Sequence, residues 1–329
     1  MTHIVVCDDA EGAFRAAGEL PRLQAAGTVT VYGAAASTRE LLIERLHPAR
    51  VILTMRGRTV LDRETLLNLP ELRLIASSGP HRIDVKAATD SGIAVATTGG
   101  TSTESVADHV LALMLALARG VVPADQALRQ GRWEPVTGME LGGKILGILG
   151  LGRIGRAVAR RALGFGLHVI AWGPTLTPER AAASGVEMVS EDELFRRSDI
   201  VSVHLLHSDL SRDFVNAKRI ALMKPSALLV DISRTGIVNR KHLAEALHSG
   251  RIGGAASDLC DPSPVDMNDP ILGAPRTVLT PHMGWQTHES HQRAAHDSVD
   301  IILAYLDGRP TNIVNVDALK SPRQAAIGN

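Results

Sequence analysis

Cysteine is nearly absent: the 329 residues hold two, Cys7 and Cys260. Two thiols far apart supply neither a disulfide framework nor a CxxC metal spacing, so no metal site is expected and a reduced compartment is the simple reading. Aromatic residues are almost as scarce, at 3%. With hydrophobic residues at 45%, the interior must be built from Ala, Val, Leu and Ile. Neither sign of charge prevails, since 35 basic side chains balance 35 acidic ones. That balance argues against nucleic acid or an anionic membrane as the main partner. Nor is there a long hydrophobic run. The most apolar stretch, residues 110–118, is too short for a bilayer and stops at Arg119. After Met1 the chain reads Thr-His-Ile-Val-Val, with no basic leader and no cleavage site, so a cytoplasmic protein is expected.

Short apolar runs alternating with helical spacing are abundant, and they signal a parallel α/β architecture. The first hundred residues suggest strands at 4–7, 28–32, 51–54, 74–77 and 93–97. A second series follows at 145–149, 168–172, 200–204, 227–232, 254–257 and 278–280. Between the two series, Thr101 and Glu104 stand at capping-box spacing, ahead of Val106, Val110, Leu113 and Leu117 at helical intervals. A similar helix returns late, with Ala295, Val299, Ile302 and Leu306. Two long helices flanking a central block imply a chain that leaves one domain, builds a second and comes back. Ligands of such sheets bind beyond the carboxyl ends of the strands.

Gly150-Leu151-Gly152-Arg153-Ile154-Gly155 reads GxGxxG, after a strand-like run and before a helical pattern. Gly150 permits the tight turn, Gly152 lets the backbone approach a pyrophosphate, and Gly155 lets helix and strand pack closely. The amides of the helix start, including Arg153 and Ile154, are expected to bind phosphate oxygens. The next strand ends at Trp172 and is followed by Gly173, where an acid normally holds the adenine ribose of NAD. Thr175, Thr177 and Arg180 lie close enough in sequence to meet a 2′-phosphate, and the nearest acid, Glu179, reads as a helix start. NAD and NADP both stay open.

Three further stretches carry a family resemblance. The run from Met223-Lys224-Pro225 to Ser233-Arg234-Thr235-Gly236-Ile237-Val238 resembles an MKPGA-hydrophobic-ARGxxV segment. The run Glu245-Ala246-Leu247-His248-Ser249-Gly250 to Ser257-Asp258 is similar to EALxSGxIxGAxLD, and Thr280-Pro281-His282-Met283-Gly284 matches TPHxG. Together with GxGxxG these resemble the D-isomer-specific 2-hydroxyacid dehydrogenases, closely over about residues 100–310 and loosely before. The resemblance implies two Rossmann-like, doubly wound parallel-sheet domains. The dinucleotide-binding domain (101–285) is inserted into a substrate domain (1–100 and 286–329), with the active site in the cleft. It implies hydride transfer between NAD or NADP and a small 2-keto or 2-hydroxy acid, and a homodimer.

The same resemblance assigns roles. Arg234 corresponds to the residue that clamps the substrate carboxylate and polarises the 2-keto oxygen, a task suited to a guanidinium fork. A solvated surface arginine is the plain alternative. His282 corresponds to the acid/base on the substrate oxygen, where an imidazole titrating near neutrality works in both directions. Asp258 corresponds to a strand-end aspartate near the nicotinamide; a turn cap is the alternative. Trp172, Leu205, Leu206 and Ser233 are placed along the cofactor, and His204 and His207 are given no direct chemical role.

Two departures stand out. The family's catalytic Glu falls at Ser263, ahead of Pro264. A hydroxyl cannot raise the proton affinity of His282 as a carboxylate would, so Asp261 is the candidate substitute partner. The substrate loop Ser77-Ser78-Gly79-Pro80-His81-Arg82-Ile83-Asp84 is shorter than the family's, and Pro80 has no amide to donate. Ser78 and Gly79 are the expected carboxylate-binding amides, Arg82 an added charge or a solvated one. Trp285 either walls the substrate pocket or packs on the returning helix. Two rivals follow from the missing Glu. Formate dehydrogenases carry Gln there, which this chain lacks; a dinucleotide-sensing binding protein with little turnover would tolerate the loss.

Overall fold

Inner-strand residues here are mostly apolar on both sides, as a sheet covered by helices on both faces requires. The computed structural model describes residues 2–10, 12–55, 59–79, 82–259 and 264–323. It divides into two compact units, Met1–Ser102 with Thr287–Asn329, and Thr103–Gln286. In the first unit, β1 (His3–Cys7), β2 (Thr28–Val31), β3 (Val51–Thr54), β4 (Leu74–Ser77) and β5 (Ala94–Thr97) form a parallel sheet in the order β2-β1-β3-β4-β5. Side chains alternate between faces. Ile4, Val6, Leu53 and Leu74 pack with Ala295, Val299 and Ile302 of the returning helix His288–Leu306. Val5, Ile52, Ile75 and Val95 pack on the other side with Leu46, Leu66 and Leu72. Thr287 starts the returning helix, its hydroxyl accepting from the Ser290 amide at 3.1 Å.

The second unit holds β6 (Ile145–Leu149), β7 (His168–Trp172), β8 (Glu187–Met188), β9 (Ile200–Val203), β10 (Leu228–Asp231), β11 (Gly254–Asp258) and β12 (Thr277–Thr280). Their order is β12-β11-β10-β9-β6-β7-β8, every pairing parallel. The strand order reverses beside β6, so loops after β6 and β9 diverge there and open a crevice at the carboxyl edge. The helix Thr103–Ala118 covers one face through Ala107, Val110, Met114 and Ala118, spaced three or four apart. Truncating Met114 to Ala would cost about 2–5 kcal/mol.

Two local expectations need correction. The helix begins at Thr103 rather than next to Thr101, and the Glu104 carboxylate pairs with Arg160 at 2.7 Å and Arg161 at 2.8 Å instead of closing a capping box. The edge strand β8 is two exposed residues with no apolar alternation to reveal it. Among the described residues no single helix is long and apolar enough to cross a membrane, and no group of three metal-ligating side chains occurs.

Candidate active site

The glycine turn after β6 has the geometry its sequence requires. Gly150 has φ +98°, a conformation open to glycine, and a Cβ there would lie 2.9 Å from the His204 carbonyl oxygen. A Cβ on Gly155 would lie 2.4 Å from the Gly150 carbonyl oxygen, so only glycine lets the helix Arg153–Gly164 sit this close to β6. At Gly152 the opposite holds: nothing lies within 4 Å of a Cβ. Gly152 caps this helix without a side-chain acceptor, so no capping side chain takes the Arg153 and Ile154 amides. An uncapped helix start beside an open glycine fits a dinucleotide pyrophosphate.

Around this turn the expected cofactor residues separate by environment. Trp172 stacks on Phe214 with ring centroids 5.0 Å apart and packs against the core. Thr175 offers its carbonyl to the Arg180 guanidinium at 2.7 Å. Glu179 sits in the first turn of the helix Pro178–Ala182, where its own amide and the Thr177 hydroxyl lower its pKa; this is the helix-start role. Leu205 is buried in the core, and Leu206 is exposed. Burial pulls His204 down to about 3, so its imidazole stays neutral and has no acid/base work. Its Nε2 lies 2.8 Å from the Ser202 hydroxyl.

Arg234 follows β10 on an exposed loop, and its guanidinium forms no ion pair with a described residue. The loop beneath it is tied down. Asp231 accepts from the Ser233 amide at 2.9 Å and from its hydroxyl at 2.5 Å. Buried Ser233 is thereby turned to the half-buried Asp231 carboxyl, whose pKa desolvation raises. Arg240 donates to the Thr235 hydroxyl at 3.0 Å and pairs with half-buried Asp269. The Asp213 amide donates to the Gly236 carbonyl at 2.6 Å. A rigid loop presenting an unpaired cation suits an anionic substrate group.

His282 follows β12, half-buried, at φ +53°. Histidine tolerates this left-handed conformation better than most residues, yet it persists only where neighbours enforce it. The Trp285 indole donates to the His282 carbonyl at 3.1 Å, its ring edge-on at 6.5 Å from the imidazole. Asp258 takes the next two amides, Met283 at 2.9 Å and Gly284 at 2.9 Å. Its register partner across β11 and β12, Thr280, donates at 2.6 Å. Burial would raise the Asp258 pKa, but His109, Thr280 and the two amides outweigh it and hold it at about 2. The carboxylate is thus largely spent on the histidine loop. β10 and β12 lie two strand spacings apart, about 10 Å.

The first unit corrects one expectation. The Ser78 amide donates to the Thr54 carbonyl at 3.3 Å and the Gly79 amide to the Ser77 hydroxyl at 3.2 Å, so neither is free for a carboxylate. The Ser78 hydroxyl donates to the Met55 carbonyl at 2.7 Å. The Ser78 amide is thus taken by the end of β3 and the Gly79 amide by its own neighbour Ser77. Asp261 and Ser263 lie outside the described residues. Sequence reasoning did not single out His109, Arg240 or Asp269, and it read Thr280 only as part of the TPHxG run. The parallel register joining Asp258 to Thr280 is the signal that could have given Thr280 its partner.

The model of the D-isomer specific 2-hydroxyacid dehydrogenase NAD-binding domain matches residues 111–284, more than half of the chain. The chain belongs to this family. A glyoxylate reductase of Thermococcus litoralis is 36% identical over 87% of this chain and 89% of its own length. A D-3-phosphoglycerate dehydrogenase of Methanocaldococcus jannaschii is 37% identical over 89% of this chain, which spans only 56% of that longer protein. The crystal structure of a glyoxylate reductase from Paecilomyes thermophila superposes with a TM-score of 0.81 at 29% identity, covering 95% of this chain and 98% of the other. The chain is therefore a nicotinamide-dependent 2-hydroxyacid dehydrogenase or 2-keto acid reductase.

Proposed function

We propose that this 2-hydroxyacid dehydrogenase works as a reductase of small 2-keto acids, of the glyoxylate or hydroxypyruvate class, and accepts NADPH at least as readily as NADH. One observation carries the reading: unpaired Arg234 and strained His282 emerge at the same carboxyl edge as the open GxGxxG turn. When bound, the nicotinamide supplies the hydride that ends on C2 of the keto acid. Arg234 holds the carboxylate and draws electron density toward the 2-keto oxygen. His282 gives its proton to that oxygen as the alcohol forms, and recovers it from the hydroxyl in reverse. Asp261 is proposed as the carboxylate partner in place of the family Glu, supported by its place two residues before Ser263.

NADPH use is supported by what ends β7. Gly173 puts no carboxylate beside the ribose, and the Arg180 guanidinium is held by the Thr175 carbonyl in the turn that follows. A cytoplasmic homodimer completes the proposal, the dimer being supported by the family relationship and by the exposed apolar residues Val121, Leu128 and Trp133.

The test crosses NADH and NADPH with glyoxylate, hydroxypyruvate, pyruvate and formate, following nicotinamide absorbance. Reduction of glyoxylate or hydroxypyruvate is expected, with no formate oxidation. A second reading, a dinucleotide-sensing protein with little turnover, is favoured by the spent Ser78 and Gly79 amides. Tight cofactor binding without turnover across the panel would establish that reading instead.

A further inference from the structure

Thr280 has a single hydroxyl proton, and it goes to Asp258 at 2.6 Å. Toward the His109 Nε2, 3.0 Å away, Thr280 can therefore only accept. The imidazole of His109 must carry its proton on Nε2 and donate it. His109 lies on the helix Thr103–Ala118, half-buried, with Nε2 also 3.6 Å from the Asp258 carboxylate. A directed chain results, from His109 to Thr280 to Asp258, and Asp258 in turn grips the two amides that follow His282. The close fit continues at Gly284, where a Cβ would lie 3.1 Å from both the Asp258 carboxylate and the His109 ring.

We propose that His109 is a positioning residue for the acid/base histidine, holding His282 in its left-handed backbone conformation through Thr280 and Asp258. The reasoning is geometric. A left-handed histidine relaxes unless its following amides are pinned, and among the described residues the side chain that pins both is the buried Asp258 carboxylate. That carboxylate keeps its orientation because Thr280 locks one oxygen, and Thr280 keeps its rotamer because His109 fills its acceptor side. The helix thus braces the reacting group from behind the loop without touching substrate. This inference rests on the proposed role of His282, so its test includes a readout independent of turnover.

Three variants of the full chain decide it: His109→Leu, His109→Gln and Thr280→Val. The glutamine amide can donate where Nε2 did, and valine keeps the shape of threonine without its hydroxyl. NADPH binding, read by fluorescence, is expected to stay within about twofold of wild type in all three, because the glycine turn lies elsewhere. The kcat for 2-keto acid reduction is expected to fall about tenfold to a hundredfold in His109→Leu and Thr280→Val, with a smaller change in KM. His109→Gln should recover most of the loss, and the Leu/Val double variant should be no worse than either single one. In parallel, long-range proton–nitrogen spectra of histidine-labelled protein should show one Nε2-protonated ring that vanishes in His109→Gln. The His282 signals should broaden in His109→Leu. An Nδ1-protonated His109, or a sharp and unshifted His282 in His109→Leu, would overturn the proposal. So would a leucine variant with wild-type kcat. Absence of turnover in wild type would instead defeat the proposed function and leave the spectra to decide this one.

Discussion

Gly173 stands at the end of β7, in space that would admit a side chain. A Cβ there would meet Leu176 at 3.6 Å and the Gly150 Cα at 3.7 Å, ordinary contacts, and its φ lies outside the left-handed range. The site accepts a side chain, so Gly173→Asp is expected to fold and to place a carboxylate at the ribose. The ratio of kcat/KM for NADPH to that for NADH should fall by about tenfold or more, since the carboxylate repels the 2′-phosphate and accepts from the ribose hydroxyls of NADH, a difference of about 1–2 kcal/mol. An unchanged ratio would show that Gly173 does not face the ribose. Arg234→Lys retains charge but loses the fork, and is expected to lower kcat/KM about tenfold to a hundredfold, mainly through weaker carboxylate binding. His204 gives a prediction in stability. Its folded pKa of about 3 lies below the ordinary 6.5, so an unfolded chain binds a proton that the folded one refuses. The stability this contributes is complete above pH 6.5 and drains as pH falls toward 3, at about 1.4 kcal/mol per pH unit. Thermal melts of His204→Asn should lose that slope between pH 6 and 4; a parallel slope would refute the assignment. At this scale the sequence revealed residues whose motifs have fixed neighbours, Arg234 and His282. It could not show which acceptor takes a given proton, and so the Ser78, Gly79, Ser233 and Asp258 partners emerged only with coordinates.

Elements were far more legible, because β-branched runs buried on both faces have few alternatives. Strands β3, β4, β6 and β7 match the apolar runs residue for residue. The exceptions share a cause. The helix Val121–Arg129 begins at Gly120 with φ +60° and carries Pro123 in its first turn. It buries only Ala127, which leaves almost no periodic signal. The packing of the helix Arg153–Gly164 on β6 makes the element-scale prediction. Gly155→Ala would force a methyl onto the Gly150 carbonyl, and either the helix start or the turn must move. Overpacking of this kind costs about 1–3 kcal/mol, and the displaced amides should weaken cofactor binding more than they lower Tm. Calorimetric titration with NADPH alongside a melting curve separates the two effects. Full retention of affinity would mean that the helix start does not bind the pyrophosphate.

For the whole molecule, the open question is what covers the segment after the helix Thr103–Ala118. Residues 131–138 are exposed throughout and lack regular structure, although Trp133 among them is 86% exposed and Val136 46%. On the preceding short helix, Val121 and Leu128 lie seven residues apart on one face, 53% and 59% exposed. A chain with so few aromatic residues leaves one of its three tryptophans almost fully in water, which is costly unless a partner buries it. In the proposed homodimer a second copy is that partner, and an arm with an aromatic tip is suited to reach across a two-fold axis. Trp133→Glu, combined with Leu128→Glu, should therefore halve the mass measured by light scattering at micromolar concentration. Cofactor affinity should persist, because the glycine turn lies on a different part of the same unit. A wild-type chain that is already monomeric, or a variant that stays dimeric, would place the interface elsewhere and leave the arm unexplained.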